Sequence, residues 1–135
     1  MIVADTNLVV YSVIEGERSA AARRVRQRDA EWAAPPLWRS EFRNVLTIYV
    51  RQGLLSAQES EQAWRLGASF ITHPQPEPDP VATLRLAHDR RLSGYDAEFA
   101  ALAEALGVPL VTADRRLLQA CPDLAVSLEG FVSGS

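Results

Sequence analysis

The chain has 135 residues and a formal net charge of −3, enough for one hydrophobic core and too acidic to coat nucleic acid through excess positive charge. All 14 basic residues are arginine, so a mechanism that needs a lysine is excluded, and the one cysteine, Cys121, cannot form an internal disulfide, which fits a reducing compartment. Hydrophobic residues make up 47% of the chain, a globular composition, while no apolar run approaches the roughly 20 residues that span a bilayer and Asp5 interrupts any would-be signal segment, so a cytoplasmic protein is the expectation.

Met1–Val10, MIVADTNLVV, sets the pattern. Ile2, Val3 and Ala4 predict a short buried strand, because the run is brief and β-branched. Asp5-Thr6-Asn7 then breaks it with three residues that favour turns and helix caps, and Leu8, Val9, Val10 and Val13 reopen an apolar helix face. Residues 17–29 read as a helix whose arginines, Arg18, Arg23, Arg24, Arg26 and Arg28, form a solvated face. Trp32-Ala33-Ala34 is a second strand closed by Pro35-Pro36. The helix from about Leu37 to Gln52 carries Trp38, Phe42, Val45, Leu46 and Tyr49 at spacings that make one apolar stripe, with Glu41 at its edge. Trp38, Phe42 and Tyr49, with Trp64 of the next helix, read as core rather than as stacking platforms, with a dimer face as a second use.

Gly53 is the predicted stop, and Ser56-x-x-Glu59 predicts a capping box for the following helix. His73 to Pro80, HPQPEPDP, has a proline at every second position and reads as a surface connector. Asp79-Pro80 gives an N-cap and a first-turn proline for a helix to about Leu92. Ser93-Gly94 precedes a helix from near Tyr95, with Tyr95, Phe99, Leu102 and Leu106 as its stripe and Gly107 as its end. Residues 108–112 form a strand, Asp114 opens a last short helix with Leu117 and Leu118 inward, and residues 125–128 suit a closing strand. Residues 133–135 are expected to fray. Strands alternating with helices predict a mainly parallel sheet flanked by helices, in a single domain over residues 1–135 with its core in about 2–128.

Four acids stand out, and each has an ordinary explanation when taken alone. Asp5, Asp96 and Asp114 suit helix caps or capping boxes, and Glu41 suits a solvated helix N-terminus. The set says more. Asp5 and Asp114 follow the carboxyl ends of predicted strands, and Glu41 and Asp96 fall in first helical turns. If those strands are parallel neighbours, all four converge on the sheet edge where open α/β folds bind ligands. Two carboxylates about 5 Å apart repel by roughly 3 kcal/mol at an effective dielectric of 20, so such a cluster calls for protons or cations. An all-oxygen set without paired His or Cys suits Mg²⁺ or Mn²⁺ rather than zinc, and metal-assisted phosphodiester hydrolysis is its natural use.

The segments IVADTNLVV, SEFRNVL and SGYDAEFAALAEALGVPLVTAD, with the chain length and the order of the acids, resemble PIN-domain ribonucleases of the VapC kind, the toxins of type II toxin–antitoxin pairs. The resemblance covers nearly the whole chain. It implies a three-layer α/β/α fold, Mg²⁺-dependent RNA endonuclease activity leaving 5′-phosphate and 3′-hydroxyl ends, a cognate antitoxin that blocks the site, and a homodimer. It further implies that Asp5, Glu41, Asp96 and Asp114 form the catalytic and metal-binding tetrad, Asp5 and Asp96 most directly. Thr6, Asn7 and Thr112 lie beside these acids and can hold their geometry by hydrogen bonds. Arg90, Arg91, Arg115 and Arg116 flank them; Arg115 and Arg116 are the better candidates for gripping RNA phosphates or an acidic antitoxin segment. His73, His88 and Cys121 suggest no chemistry.

Other readings stay open on the residues. A receiver-like phospho-acceptor also gathers acids at a sheet edge, but it needs a lysine that the chain lacks. A non-catalytic module of the same fold, and an RNA-processing nuclease without an antitoxin, are the remaining alternatives. The target RNA is not spelled out by any sequence module.

Overall fold

A computed structural model describes residues 1–134. The elements run β1 (Ile2–Ala4), α1 (Thr6–Val13), α2 (Ser19–Arg28), β2 (Trp32–Ala34), α3 (Leu37–Arg51), α4 (Ala57–Phe70), β3 (His73–Pro74), α5 (Pro80–Arg90), α6 (Gly94–Leu106), β4 (Leu110–Val111), α7 (Arg115–Ala120), β5 (Ala125–Val126) and α8 (Leu128–Ser133). The five strands form one sheet in the order β3-β2-β1-β4-β5, and every pairing is parallel. β1 lies at the centre, with Val3 opposite both Ala33 and Leu110. That position explains its unbroken apolar sequence: a strand covered on both faces has no polar side to alternate with.

The strand order reverses direction once. From β1 the chain steps outward to β2 and β3, then crosses back to place β4 on the other side of β1. Because crossovers between parallel strands are right-handed, this reversal sends α5 and α6 to the sheet face opposite the earlier helices. The packing follows: α1, α2, α3 and α4 contact one another, whereas α5 and α6 form their own pair and α6 lies on β1 and β4. The result is a three-layer α/β/α arrangement with its core on both sheet faces. Among the described residues no helix is long and apolar enough to cross a membrane.

Local chemistry sets the element ends as the sequence predicts. Ser56 and Glu59 close a reciprocal capping box, Asp79 caps α5 ahead of Pro80, and Gly107 ends α6 in the left-handed region at φ +67°, where a residue without a Cβ is least strained. On α3, Trp38 and Phe42 face Trp64 of α4, with the two indoles stacked at 5.4 Å. Gly67 lets the helices close, since a Cβ there would meet the Phe42 ring at 2.5 Å.

Four details differ from the sequence-based expectation. The proline-rich connector contributes β3: His73 and Pro74 pair with Ala33 and Ala34 at the sheet edge, the one sheet position where a missing N–H costs no ladder bond. The closing strand is only Ala125–Val126, and Ser127 instead caps an additional helix, α8, by accepting from Gly130 N at 2.9 Å. Its six residues are too few to show a helical period, and it is held by tertiary contacts: Leu128 is fully buried and Arg28 of α2 donates to the carbonyls of Val132 and Gly134. Ser133 ends α8, the Gly134 carbonyl accepts from Arg28, and Ser135 lies outside the described residues. Tyr95 is 65% exposed, not part of the α6 stripe. That helix buries Ala97, Ala100, Ala101 and Ala103 around Phe99 instead, because small residues let it lie directly on the sheet.

Phe42 is fully buried at the junction of α3 and α4. Phe42→Ala should cost about 3–5 kcal/mol, read as a lower urea midpoint at an unchanged slope; a loss below 1 kcal/mol would mean that this aromatic junction is not part of the stability core.

Candidate active site

The turn after β1 builds the first part of the site. Asp5 keeps extended backbone as the N-cap of α1, and its Oδ1 accepts the Thr6 backbone N–H at 2.8 Å. Its Oδ2 accepts the Thr112 hydroxyl at 2.6 Å and the Asn7 amide at 3.1 Å. Thr112 follows β4, so this bond ties together the carboxyl ends of two adjacent strands. The Thr112 Oγ1 also accepts the Asp114 backbone N–H at 3.0 Å, and the Asn7 side-chain oxygen accepts the Ala113 N–H at 3.3 Å. Asp114 in turn caps α7, its Oδ1 accepting from Arg116 N at 2.7 Å. The third acid arrives on the first turns of α3: Glu41 Oε1 accepts the Thr6 hydroxyl at 2.7 Å. Asp96 arrives on the first turn of α6, where Ser93 accepts its backbone N–H.

These four acids, drawn from four separate segments, line one cleft of about 390 Å³ together with Thr6 and Asn7. The cleft lies at the carboxyl edge where the strand order reverses between β1 and β4, the position at which doubly wound sheets hold ligands. Tyr11, Asn44 and Tyr49 line it too. None of the three belongs to the site residues expected from sequence, and Tyr49, expected as core, is half-buried with one flank on the core and another in the cleft. Helical spacing could have found two of them: Tyr11 is four residues after Asn7, and Asn44 three after Glu41.

Burial dominates the electrostatics. Asp5 is 7% exposed. Its desolvation outweighs the stabilising bonds from Thr112 and Thr6 and, with repulsion from Glu41 and Asp96, lifts its pKa from 3.8 to about 6. Glu41 is raised chiefly by burial, opposed by the Thr6 bond and reinforced by Asp96 and Glu98. Asp96 is raised by burial and by Asp114, and pulled back by Arg116 and Ser93. All three shifts have one sign. Native Asp5 holds its proton more tightly than the unfolded chain does, so its contribution to stability is present below about pH 4 and is lost as pH rises through about 6.

The donor set contains only oxygen, which suits a hard divalent cation. Among the described residues no three His, Cys, Asp or Glu side chains are already gathered as a metal site.

The arginines fall into two groups. Arg90 is committed to structure, with a bidentate pair to Asp123 and a bond to the Ala120 carbonyl, and Arg91 ends α5 in the left-handed region. Arg115 and Arg116 are exposed on the first turn of α7. Neither lines the cleft, although Arg116 is near enough to favour the ionised form of Asp96. His73 pairs with Glu31 on the surface, away from the acids.

Comparisons with known proteins give the family. Residues 2–121 match the PIN domain family. Ribonuclease VapC3 of Pyrobaculum aerophilum is 31% identical over 127 residues, spanning 91% of this chain and 96% of that protein. The crystal structure of PAE2754, also from Pyrobaculum aerophilum, superposes with a TM-score of 0.79 over 97% of this chain and 85% of that one, at 24% identity, a likeness of fold. The chain belongs to the PIN-domain family, among its VapC-like ribonucleases.

In protein stripped of metal, carboxyl ¹³C NMR should show Asp5 titrating near pH 6, and Thr112→Val should move that midpoint higher by removing a bond to the ionised form. A wild-type midpoint in the ordinary carboxylate range would contradict the burial argument.

Proposed function

We propose that this protein is a metal-dependent endoribonuclease that hydrolyses RNA phosphodiesters, and that it is the toxin of a type II toxin–antitoxin pair. The observation that carries the reading is the convergence of Asp5, Glu41, Asp96 and Asp114 on one cleft at the strand-order reversal. The ribonuclease name of the Pyrobaculum aerophilum relative supports RNA as the substrate class.

Asp5 and Asp96 would hold Mg²⁺, or Mn²⁺ in its place, most directly, with Glu41 and Asp114 completing the set directly or through water. The bound cation supplies charge neutralisation at the phosphate and lowers the pKa of water. The chain's own residues do the rest. Thr112, Asn7 and the Thr6 N–H fix both oxygens of Asp5, so the carboxylate cannot rotate away from the cleft. Thr6 holds one oxygen of Glu41 and leaves the other to orient water and accept its proton. Asp114 uses one oxygen as a cap and turns the carboxylate toward Asp96, whose raised pKa records that proximity. In-line attack of water on phosphorus then breaks the bond to the 3′ oxygen, which takes up a proton and leaves as a hydroxyl, with the phosphate on the 5′ side. Further parts of the proposal are a single domain, a cognate antitoxin that blocks this cleft, a homodimer and a cytoplasmic location.

Asp5→Asn should lower RNA cleavage by at least about 100-fold while the circular dichroism spectrum is preserved, and chelation should abolish wild-type cleavage until Mg²⁺ is restored. Undiminished cleavage by the purified variant would end the mechanism. Growth arrest on expression, relieved by the product of an adjacent reading frame, is the result expected for the toxin assignment; arrest without such relief would remove it.

A further inference from the structure

The cleft has two chemically different ends. Four acids line it, and further along α1 and α3 it is lined by Val10, Tyr11, Asn44, Val45 and Tyr49. A metal-and-phosphate site explains the first end and leaves the second unused. We propose that the aromatic end is a base-binding subsite, in which Tyr11 and Tyr49 stack on one unpaired nucleobase next to the scissile phosphate. This rests on the nuclease reading above and adds a substrate contact to it.

Several observations support that occupant. The spacing matches a nucleotide: at 1.5 Å per residue Tyr11 is about 6 Å along α1 from Asn7, and Tyr49 about 12 Å along α3 from Glu41. A base attached to a phosphate at the acids reaches that distance, whereas a second phosphate would meet no cation among the residues lining the aromatic end. Both rings are half-buried and backed by the core, so they are fixed in place before a ligand arrives, which keeps the ordering cost of stacking low. The cleft volume of about 390 Å³ falls at the small end of ligand sites, enough for a single nucleotide unit. Asn44 adds an amide with both donor and acceptor, and no hydrogen bond within the described residues occupies it, so it can read a base edge.

Stacking needs a base that is out of a duplex, because only an unpaired base presents its face. Such a contact tolerates several bases unless Asn44 discriminates among them.

Steady-state cleavage of a short single-stranded RNA tests this, with wild type, Tyr11→Leu, Tyr49→Leu and the corresponding Tyr→Phe variants compared at saturating Mg²⁺. Leucine keeps apolar bulk and loses the π-face; phenylalanine keeps the face. Each leucine variant should raise KM by about 5-fold to 100-fold with a much smaller change in kcat, and phenylalanine should restore KM. An RNA carrying one abasic site beside the cleavage position should bind wild type as weakly as intact RNA binds the leucine variants, and the abasic and leucine effects should not add. Thermal midpoints of the variants control for folding, and Tyr→Phe with the abasic substrate keeps the test decisive if a leucine variant unfolds. If wild type cleaves and the leucine variants and the abasic RNA behave like their parents, the base subsite is wrong and the nuclease reading stands. If wild type cleaves no RNA under any metal, both fall. Unchanged RNA KM with lost binding of the antitoxin would also overturn the inference and assign the two rings to a protein partner.

Discussion

The Thr112 hydroxyl donates to a carboxylate that burial has nearly cut off from water. That bond, 2.6 Å long and spanning 107 residues of sequence, fastens the end of β1 to the end of β4. A hydrogen bond to an ionised group contributes about 1.5–3 kcal/mol, yet desolvation still prevails and Asp5 rises to about 6. The site is therefore held in tension. Its geometry is fixed by neutral donors from Thr6, Asn7 and Thr112, and its charge is left to be balanced by something brought in from outside. A cleft arranged in this way favours a multivalent cation over a proton near neutral pH, because only the cation can serve several carboxylates at once.

The capping explanation and the functional explanation of the acids turn out to be compatible. Asp5 and Asp114 are both N-caps, each using Oδ1 on backbone N–H groups of the helix that follows. A cap needs one oxygen, and a carboxylate has two. Capping fixes the carboxylate's rotation; in Asp114 the other oxygen is left to the cleft, while in Asp5 it accepts from Thr112 and Asn7. Glu41 and Asp96 are placed differently: Asp96 sits in the first turn of α6, whereas Glu41 lies one turn into α3 and is held by the Thr6 hydroxyl. Burial and mutual repulsion still raise Asp5, Glu41 and Asp96 together, so the cluster remains costly in charge despite these bonds.

The absence of lysine and the net negative charge place the nucleic-acid question inside the cleft rather than over the surface. Several arginines are occupied with structure: Arg26 stacks over Phe70, Arg28 ties α8 to α2, and Arg90 clamps Asp123. On the proposed reading, affinity for a polyanion would then depend on a cation at the acids and on the apolar and aromatic surface of α1 and α3.

The amino-acid sequence was enough to define the strands β1, β2 and β4 and the capped starts of α4, α5, α6 and α7, because each of these rests on local chemistry: short β-branched runs, Ser or Asp before a helix, a glycine after one; the four acids could be grouped only on the condition that their strands lie side by side and by family resemblance. Tertiary structure decided what local chemistry could not. Pro74 became a strand residue only because an edge position was open beside β2, and α8 formed only because Arg28 and a pocket for Leu128 awaited it. Tyr49 faces both core and cleft because α3 lies along the cleft wall, which no stripe of spacings reveals. Above all, Asp5 and Asp114 are neighbours because β4 crosses back to lie beside β1. Sequence periodicity carries the identity of each element but not the order in which parallel strands are laid down, and that order is what brings the acids into one cleft.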